Sequence, residues 1–436
     1  MTAPSEADRL PAIADPLRHA AARFGTPLYL TDALTLDAAA AAVREAFPDP
    51  WLRQFSVKAN DVAAVIRLVA ERGFGANVVS LGEWAAARRA GLPNERITLE
   101  GVGKTDAELA AAIRAARDGQ PLRWLALESV DEAVALARLA ETSPATDSHA
   151  PLDLLFRLNP DVSPETHQGL AVGAGGAKFG MTETELSEAI GVVTDRGRNG
   201  GLLRPRGIQL HVGSQLGAVD AWRDGVRRGL ALLALLQGGL SGFDTLDVGG
   251  GFPVAPFGEP APGPDRFARE LPALLDAIPA DRRPGRFAIE PGRALVARAG
   301  WLIARVLHVR DRGGRQVVID AGMTELIRPA LYGARHAVIA LTSFGRPVAP
   351  GDPAASDATL EPAAVEGPIC ESTDTLGEHR LPPLTRGDLI AIRDAGAYAA
   401  SQGSTYNGRP RPPQVILERD GRLVVARRRG AVTALG

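Results

Sequence analysis

The chain has 436 residues, 45% hydrophobic and 23% charged, with 48 Gly and 33 Pro, which excludes a disordered polymer and a coiled coil. Its 49 Lys and Arg against 51 Asp and Glu leave a net charge of −2, too even for a global attraction to nucleic acid or anionic membrane, so the expected partner is a small molecule. No apolar run reaches the roughly 20 residues needed to span a bilayer, and the single Cys370 excludes an intramolecular disulfide and a Cys-rich metal cluster. With Glu6, Asp8 and Asp15 near the start and no signal-peptide core, a cytoplasmic location is expected, and no metal.

Residues 1–30 read as partly helical, then extended at Leu28–Leu30, and are expected to pack with a C-terminal β domain. From Thr31 to Gly292 short apolar runs alternate with Ala/Leu/Arg-rich segments of helical period. The predicted strands are Phe55–Val57, Phe74–Val79, Arg96–Glu100, Trp124–Glu128, Leu152–Leu158, Gly207–Val212, Thr245–Val248 and Phe287–Glu290. Thr105 with Glu108, Ser129 with Glu132 and Thr182 with Glu185 have the spacing of capping boxes, which places helix starts between the strands. Eight such units predict a (β/α)8 barrel over 31–295, although a doubly wound open sheet gives a similar one-dimensional pattern. After Ala299 the pattern turns strand-like at Leu302–Val309, Gln316–Ile319, Ala337–Leu341, Asp388–Ile392 and Val415–Leu417, predicting a β domain over 296–436. Gln414–Glu418 and Arg422–Ala426 flank Asp420-Gly421, a hairpin signal, and a Pro/Gly-rich loop covers Pro253–Pro264.

Reactive groups of such a barrel sit at the carboxyl ends of its strands, and the polar residues there are consistent: Lys58, Asn77, Ser80, Glu100, Glu128, Arg157, His211, Ser214, Gly249–Gly251 and Glu290. Lys58, after an apolar strand, is expected in a desolvated setting that suits imine chemistry; taken alone it reads first as a surface lysine just past a strand, and context decides. Gly249–Gly251 can bring backbone amides to a phosphate or form a plain tight turn. Glu290-Pro291-Gly292-Arg293 offers a carboxylate for a pyridinium nitrogen, or a simple ion pair; His211 offers a flat imidazole for a cofactor face, or core packing. A second group lies in the β domain: Arg328, Tyr332, Cys370, Glu371 and Tyr398, each of which has an ordinary structural reading as well.

The ordered set FSVKAN, NVVSLGEW, LEGVGKT, RLNPDVSPETH, KFGM, HVGSQ, DVGGGF, EPGR, IRPALYGARH, CESTD and GAYAASQGSTYN resembles the fold-type III pyridoxal-phosphate decarboxylases from about Gly25 to Leu417. Within that family it is most similar to members acting on meso-2,6-diaminoheptanedioate. The resemblance implies an α/β fold made of an alanine racemase-like (β/α)8 barrel plus a C-terminal β domain, pyridoxal 5'-phosphate as cofactor, and a homodimer whose active sites are shared across the interface. It implies Lys58 as the Schiff-base lysine, His211 as the ring-stacking imidazole, Glu290 as partner of the ring nitrogen, and Cys370, from the other subunit, as proton donor. Ser214, Gly250, Gly251, Gly292, Arg293 and Tyr398 match cofactor positions; Arg293, Arg328, Tyr332, Glu371 and Tyr398 match substrate positions.

The expected reaction is decarboxylation of meso-2,6-diaminoheptanedioate to L-lysine and CO2, since a zwitterionic far end needs partners of both signs. Asn77 stands where the family usually has Asp, and Thr166–Gly173 departs from the usual wording. These departures leave open a relative acting on another amino acid or on a secondary-metabolite precursor. A non-catalytic cofactor-binding protein is disfavoured by intact Lys58, Cys370 and Glu371.

Overall fold

The computed structural model describes residues 6–142, 150–194, 201–256, 259–348 and 359–432, so positions 257 and 258 of the Pro/Gly-rich loop lie outside the described residues. The chain divides into two compact units, one of residues 40–253 and 260–294, the other of 1–39, 254–259 and 295–436.

In the first unit, β2 (Leu52–Ser56), β3 (Gly75–Val78), β4 (Ile97–Leu99), β5 (Trp124–Leu127), β6 (Leu152–Leu158), β7 (Leu203–Leu210), β8 (Thr245–Asp247) and β9 (Arg286–Ile289) form a closed parallel barrel. Pairing of β9 with β2, Ala288 opposite Leu52, closes the ring and rules out the open doubly wound sheet. All eight predicted strands are present. The seventh begins at Leu203, ahead of the predicted Gly207, because its first part pairs with β6 through a register shift that leaves over Arg206 beside Pro205, a residue that cannot donate to the ladder. Trp124, Ala126, Leu155 and Ala288 alternate inward with the strand period and pack together, with Leu52 against them.

Helices follow the strands as the caps predict. Thr105 and Glu108 form a complete capping box before Asp106–Arg117. At Thr182 and Glu185 the hydroxyl accepts from the Glu185 amide at 3.3 Å and the carboxylate from the Thr182 amide at 2.8 Å. Ser129 caps the Glu132 amide at 3.1 Å, but the Glu132 carboxylate turns to the Glu128 amide at 2.7 Å, so that box is half formed.

The second unit is built on a mixed sheet of β1 (Leu28–Asp32), β10 (Gly300–Asp311), β11 (Arg315–Ile319), β12 (Val338–Ala340), β15 (Glu361–Glu366), β16 (Thr375–Leu381), β17 (Leu389–Ile392), β18 (Gln414–Leu417) and β19 (Leu423–Arg427), with a short separate pair, β13 (Thr342–Ser343) and β14 (Arg346–Pro347). β1 lies between β10, antiparallel, and β18, parallel. Alternation along the strands feeds two cores: Tyr29, Leu302, Ala304, Ile390 and Ile392 enter one, Leu28, Leu30, Trp301, Ile303 and Ala391 the other. The helix Glu6–Phe24 covers the second core through Ile13, Ala14, Leu17, Ala20 and Ala21, an apolar stripe at helical spacing. Leu17 is fully buried, so Leu17→Ala should cost about 2–5 kcal/mol in denaturant unfolding, whereas Leu235, 74% exposed, should tolerate Ala with little change.

The predicted β18–β19 hairpin forms around Asp420-Gly421, with Gly421 at φ 84° and its amide bonded to the Glu418 carbonyl at 2.9 Å. β15 and β16 are strands that the sequence pattern hides: their burial follows no clean period, and a bulge between Val365 and Glu366 breaks the alternation. Among the described residues no helix is long and apolar enough to cross a membrane.

Candidate active site

Several of the strand-end residues predicted to share one mouth are joined by hydrogen bonds across the barrel strands. Asn77 Nδ2 donates to Glu100 Oε2 at 3.0 Å, Trp124 Nε1 to Glu100 Oε1 at 3.3 Å, and Arg157 Nη1 to Glu128 Oε1 at 2.6 Å. Gln209 Nε2 donates to Glu290 Oε1 at 2.9 Å, and Arg293 Nη2 to Ser214 Oγ at 3.1 Å. The Phe179 ring lies 5.1 Å from the Arg157 guanidinium carbon and the Gly180 amide donates to Glu128 Oε2 at 3.1 Å, which accounts for the KFGM run. The divergent Thr166–Gly173 segment packs on the HVGSQ run: Thr166 Oγ1 donates to the Ser214 carbonyl at 2.6 Å, and Ala171 bridges Gly213.

Lys58 lies in a short 3-10 turn, Val57–Ala59, directly after β2. The desolvated setting expected for it is not found: Val57 and Ala59 are buried, whereas Lys58, in a turn past the end of the strand, is exposed, and its charge acts on His211, Glu290 and Glu83. The chain has three lysines, and the others are placed differently. Lys104 is buried against Glu132, 2.9 Å away, and donates to the Gly101 carbonyl; Lys178 lies over the Phe179 ring at 5.5 Å.

His211 Nδ1 accepts from the Gly250 amide at 3.1 Å, which puts the proton of the neutral ring on Nε2. Burial, then Lys58 and Arg157, holds this imidazole well below its ordinary basicity, so it is neutral at pH 7. Gly250 permits the contact. A Cβ there would lie 2.3 Å from the Glu290 carbonyl oxygen, closer than atoms approach, and Gly249 and Gly251 have φ of +69° and +97°, a region that favours glycine. Gly292 and Arg293 are buried, Ser214 half-buried.

Glu290, Asp247 and Glu100 bring carboxylate oxygens within 4.8 Å of one another, all buried. Burial first, then Asp247, pushes Glu290 up to about 7, opposed by Glu100, Lys58 and Gln209. Because folding raises this pKa from 4.5, the linked stability is complete below that value and lost as pH rises through about 7, roughly 3 kcal/mol in all. Cofactor-free protein should therefore lose Tm as pH rises from about 5 to about 8, and Glu290→Gln should flatten that loss; an equal slope in thermal denaturation would contradict it.

The second unit holds two groups. Arg328 is buried, with its guanidinium carbon 5.1 Å from the Tyr332 ring and 5.6 Å from the Tyr398 ring, a cation between two aromatic faces; burial lowers its pKa. Tyr398 has a left-handed φ of 56°. Cys370 and Glu371 are exposed; Asn407 Nδ2 lies 3.5 Å from Cys370 Sγ, and a hydrogen bond with Glu371 raises the Tyr406 hydroxyl pKa.

Gln209, Asp247, Glu83, Tyr406 and Asn407 enter these groups without having been singled out. For Gln209 and Asp247 the signal was available: each lies two residues before His211 or Gly249, hence on the same inward face, and each is polar in an apolar strand. Glu83 caps the Val79 amide at 2.9 Å and feels Lys58, a role that depends on the turn after β3.

Residues 34–297 match the family model described as "Pyridoxal-dependent decarboxylase, pyridoxal binding domain". The diaminopimelate decarboxylase of Aquifex aeolicus is 34% identical over 418 residues, 95% of this chain and 91% of the relative. That of Actinosynnema pretiosum is 38% identical over 424 residues, 94% and 89% of the two chains. Among solved structures, the diaminopimelate decarboxylase of Helicobacter pylori in complex with L-lysine aligns with a TM-score of 0.82 at 30% identity, over 96% of this chain and 98% of the other. With the barrel, its glycine cradle and the ring of paired strand-end residues, these likenesses establish that the chain belongs to the pyridoxal-dependent decarboxylases, in the family of the diaminopimelate decarboxylases.

Proposed function

We propose that this protein is the decarboxylase that converts meso-2,6-diaminoheptanedioate to L-lysine and CO2 with pyridoxal 5'-phosphate. The observation that carries the reading is the barrel mouth: one exposed lysine after β2, a neutral imidazole held by a glycine amide, and a buried carboxylate raised to about 7. The residues fit that cofactor. The Gly249–Gly251 turn presents bare backbone with no side chain, and Ser214 with Arg293 adds a hydroxyl and a guanidinium suited to a phosphate. When bound, the cofactor supplies the electron sink for the pair left by departing CO2.

Lys58 would hold the cofactor through its amine at the barrel mouth. His211, neutral and fixed through Nδ1, presents an uncharged ring face that does not compete with the substrate's carboxylate for charge. Glu290, buried and oriented by Gln209, would hold a proton at the ring nitrogen. Gly250, Gly251 and Gly292 would allow the backbone a close approach to the cofactor, and Tyr398 would offer a hydroxyl to its phosphate. Cys370, acting in the partner's site of a homodimer, would return a proton to the substrate carbon.

Arg293, Arg328, Tyr332, Tyr398 and Glu371 would recognise the substrate, Glu371 reading the distal ammonium and arginine the distal carboxylate. A biosynthetic enzyme of this kind belongs in the cytoplasm.

Purified protein supplied with the cofactor should release CO2 and L-lysine in equal amounts from the diamino diacid, with far slower turnover of lysine, ornithine and arginine. Preferred turnover of one of those three would overturn the assignment. Glu371→Ala should lower kcat/KM for the diamino diacid by about a hundredfold, the loss of a charged hydrogen bond, and affect simple diamino acids much less; equal losses would contradict distal recognition.

A further inference from the structure

Glu100, Asp247 and Glu290 project into the barrel from the ends of β4, β8 and β9, with oxygens within 4.8 Å of one another and exposures of 5%, 0% and 5%. Among the described residues none of the three makes an ion pair. The cations that act on them are Arg157, on Glu100, and Lys58, on Glu290; His211, near the same two cations, is a neutral ring. Arg157 is committed to Glu128 at 2.6 Å, and Lys58 is exposed. Three anions confined in this volume without a counter-cation would repel strongly in a low dielectric, so the set must retain protons.

The hydrogen bonds point the same way. Glu100 receives one donor on each oxygen, from Asn77 and Trp124; Asp247 Oδ1 receives the Gly249 amide at 2.9 Å; Glu290 Oε1 receives Gln209. Asp247 Oδ2 and Gln209 Oε1 remain as buried acceptors without a donor. Missing donors beside surplus carboxylates are what acid protons supply. Asn77 accords with this: its amide donates to Glu100 at 3.0 Å and brings no further charge to the group.

We propose that Glu100 remains a neutral carboxylic acid at working pH and donates a hydrogen bond from its acid O–H to Glu290, a positioning residue that keeps the ring-facing acid ionised and oriented. This rests on Glu290 facing the cofactor ring, as proposed above. The upward push on Glu100 from burial and from Glu290 accords with it.

The test is infrared spectroscopy of the holoenzyme with turnover measured alongside. At about pH 8 the wild type should show a protonated-carboxyl carbonyl stretch that shifts on 13C-glutamate labelling and is lost in Glu100→Gln. Because an amide copies the donor of the neutral acid, Glu100→Gln should keep kcat within about threefold, while Glu100→Ala should lose about tenfold or more with cofactor still bound. Absence of a glutamate-derived band in the wild type, its survival in Glu100→Gln, or a Gln variant as impaired as Ala would overturn the proposal. Should the Ala variant not fold, the labelled wild type and the Gln variant decide. The band does not depend on turnover, so failure of the substrate assignment leaves this test intact.

Discussion

Lys58→Ala should abolish CO2 release, a loss of at least about a thousandfold, because a covalent tether has no substitute within the barrel. Of the three lysines, Lys104 is committed to Glu132 and the Gly101 carbonyl, and Lys178 lies over Phe179. Neither can take over without dismantling contacts of its own. The fold should be unaffected: Lys58 is exposed, and the strand before it is held by Phe55 and Ser56, not by the amine. Circular dichroism and Tm like the wild type, with no bound cofactor after gel filtration, is the expected pattern; retained turnover would contradict the assigned role.

Gly250→Val should be nearly as damaging, for a steric reason. The first added carbon alone would sit 2.3 Å from the Glu290 carbonyl oxygen and 3.1 Å from its carbon, both backbone atoms that cannot swing aside. Relief requires moving the end of β9 and the 249–251 turn apart, which displaces the Glu290 carboxylate and the amide that fixes His211. Cofactor affinity and kcat should each fall by about a hundredfold or more, read from spectral titration and CO2 release. Gly191 is the control: it lies within the helix Glu183–Thr194, where an added methyl would meet nothing within 4 Å, so Gly191→Ala should leave activity intact and add about 0.5–1 kcal/mol of stability.

The barrel was legible because its strands are short apolar runs with polar ends, and parallel pairing buries both faces. Residues at those ends were legible for the same reason. Several of them, from Asn77 to Arg293, meet partners across strands that no local pattern could name, since Gln209 with Glu290 or Arg293 with Ser214 depends on strand tilt and closure. The exposure of Lys58 escapes the sequence pattern because a strand's apolar character stops one residue earlier, at a turn where side-chain direction no longer alternates. β15 and β16 escape it because a half-exposed sheet with a bulge leaves no period to read.

The central claim is that the amine of Lys58 holds the cofactor at the barrel mouth. Borohydride reduction of the holoenzyme fixes the cofactor to whichever amine carries it, and peptide mass mapping then reads the position. With only three lysines the outcome is clean: the added mass should fall on the peptide containing Lys58 alone, and its appearance on Lys104 or Lys178, or on none, would contradict the account.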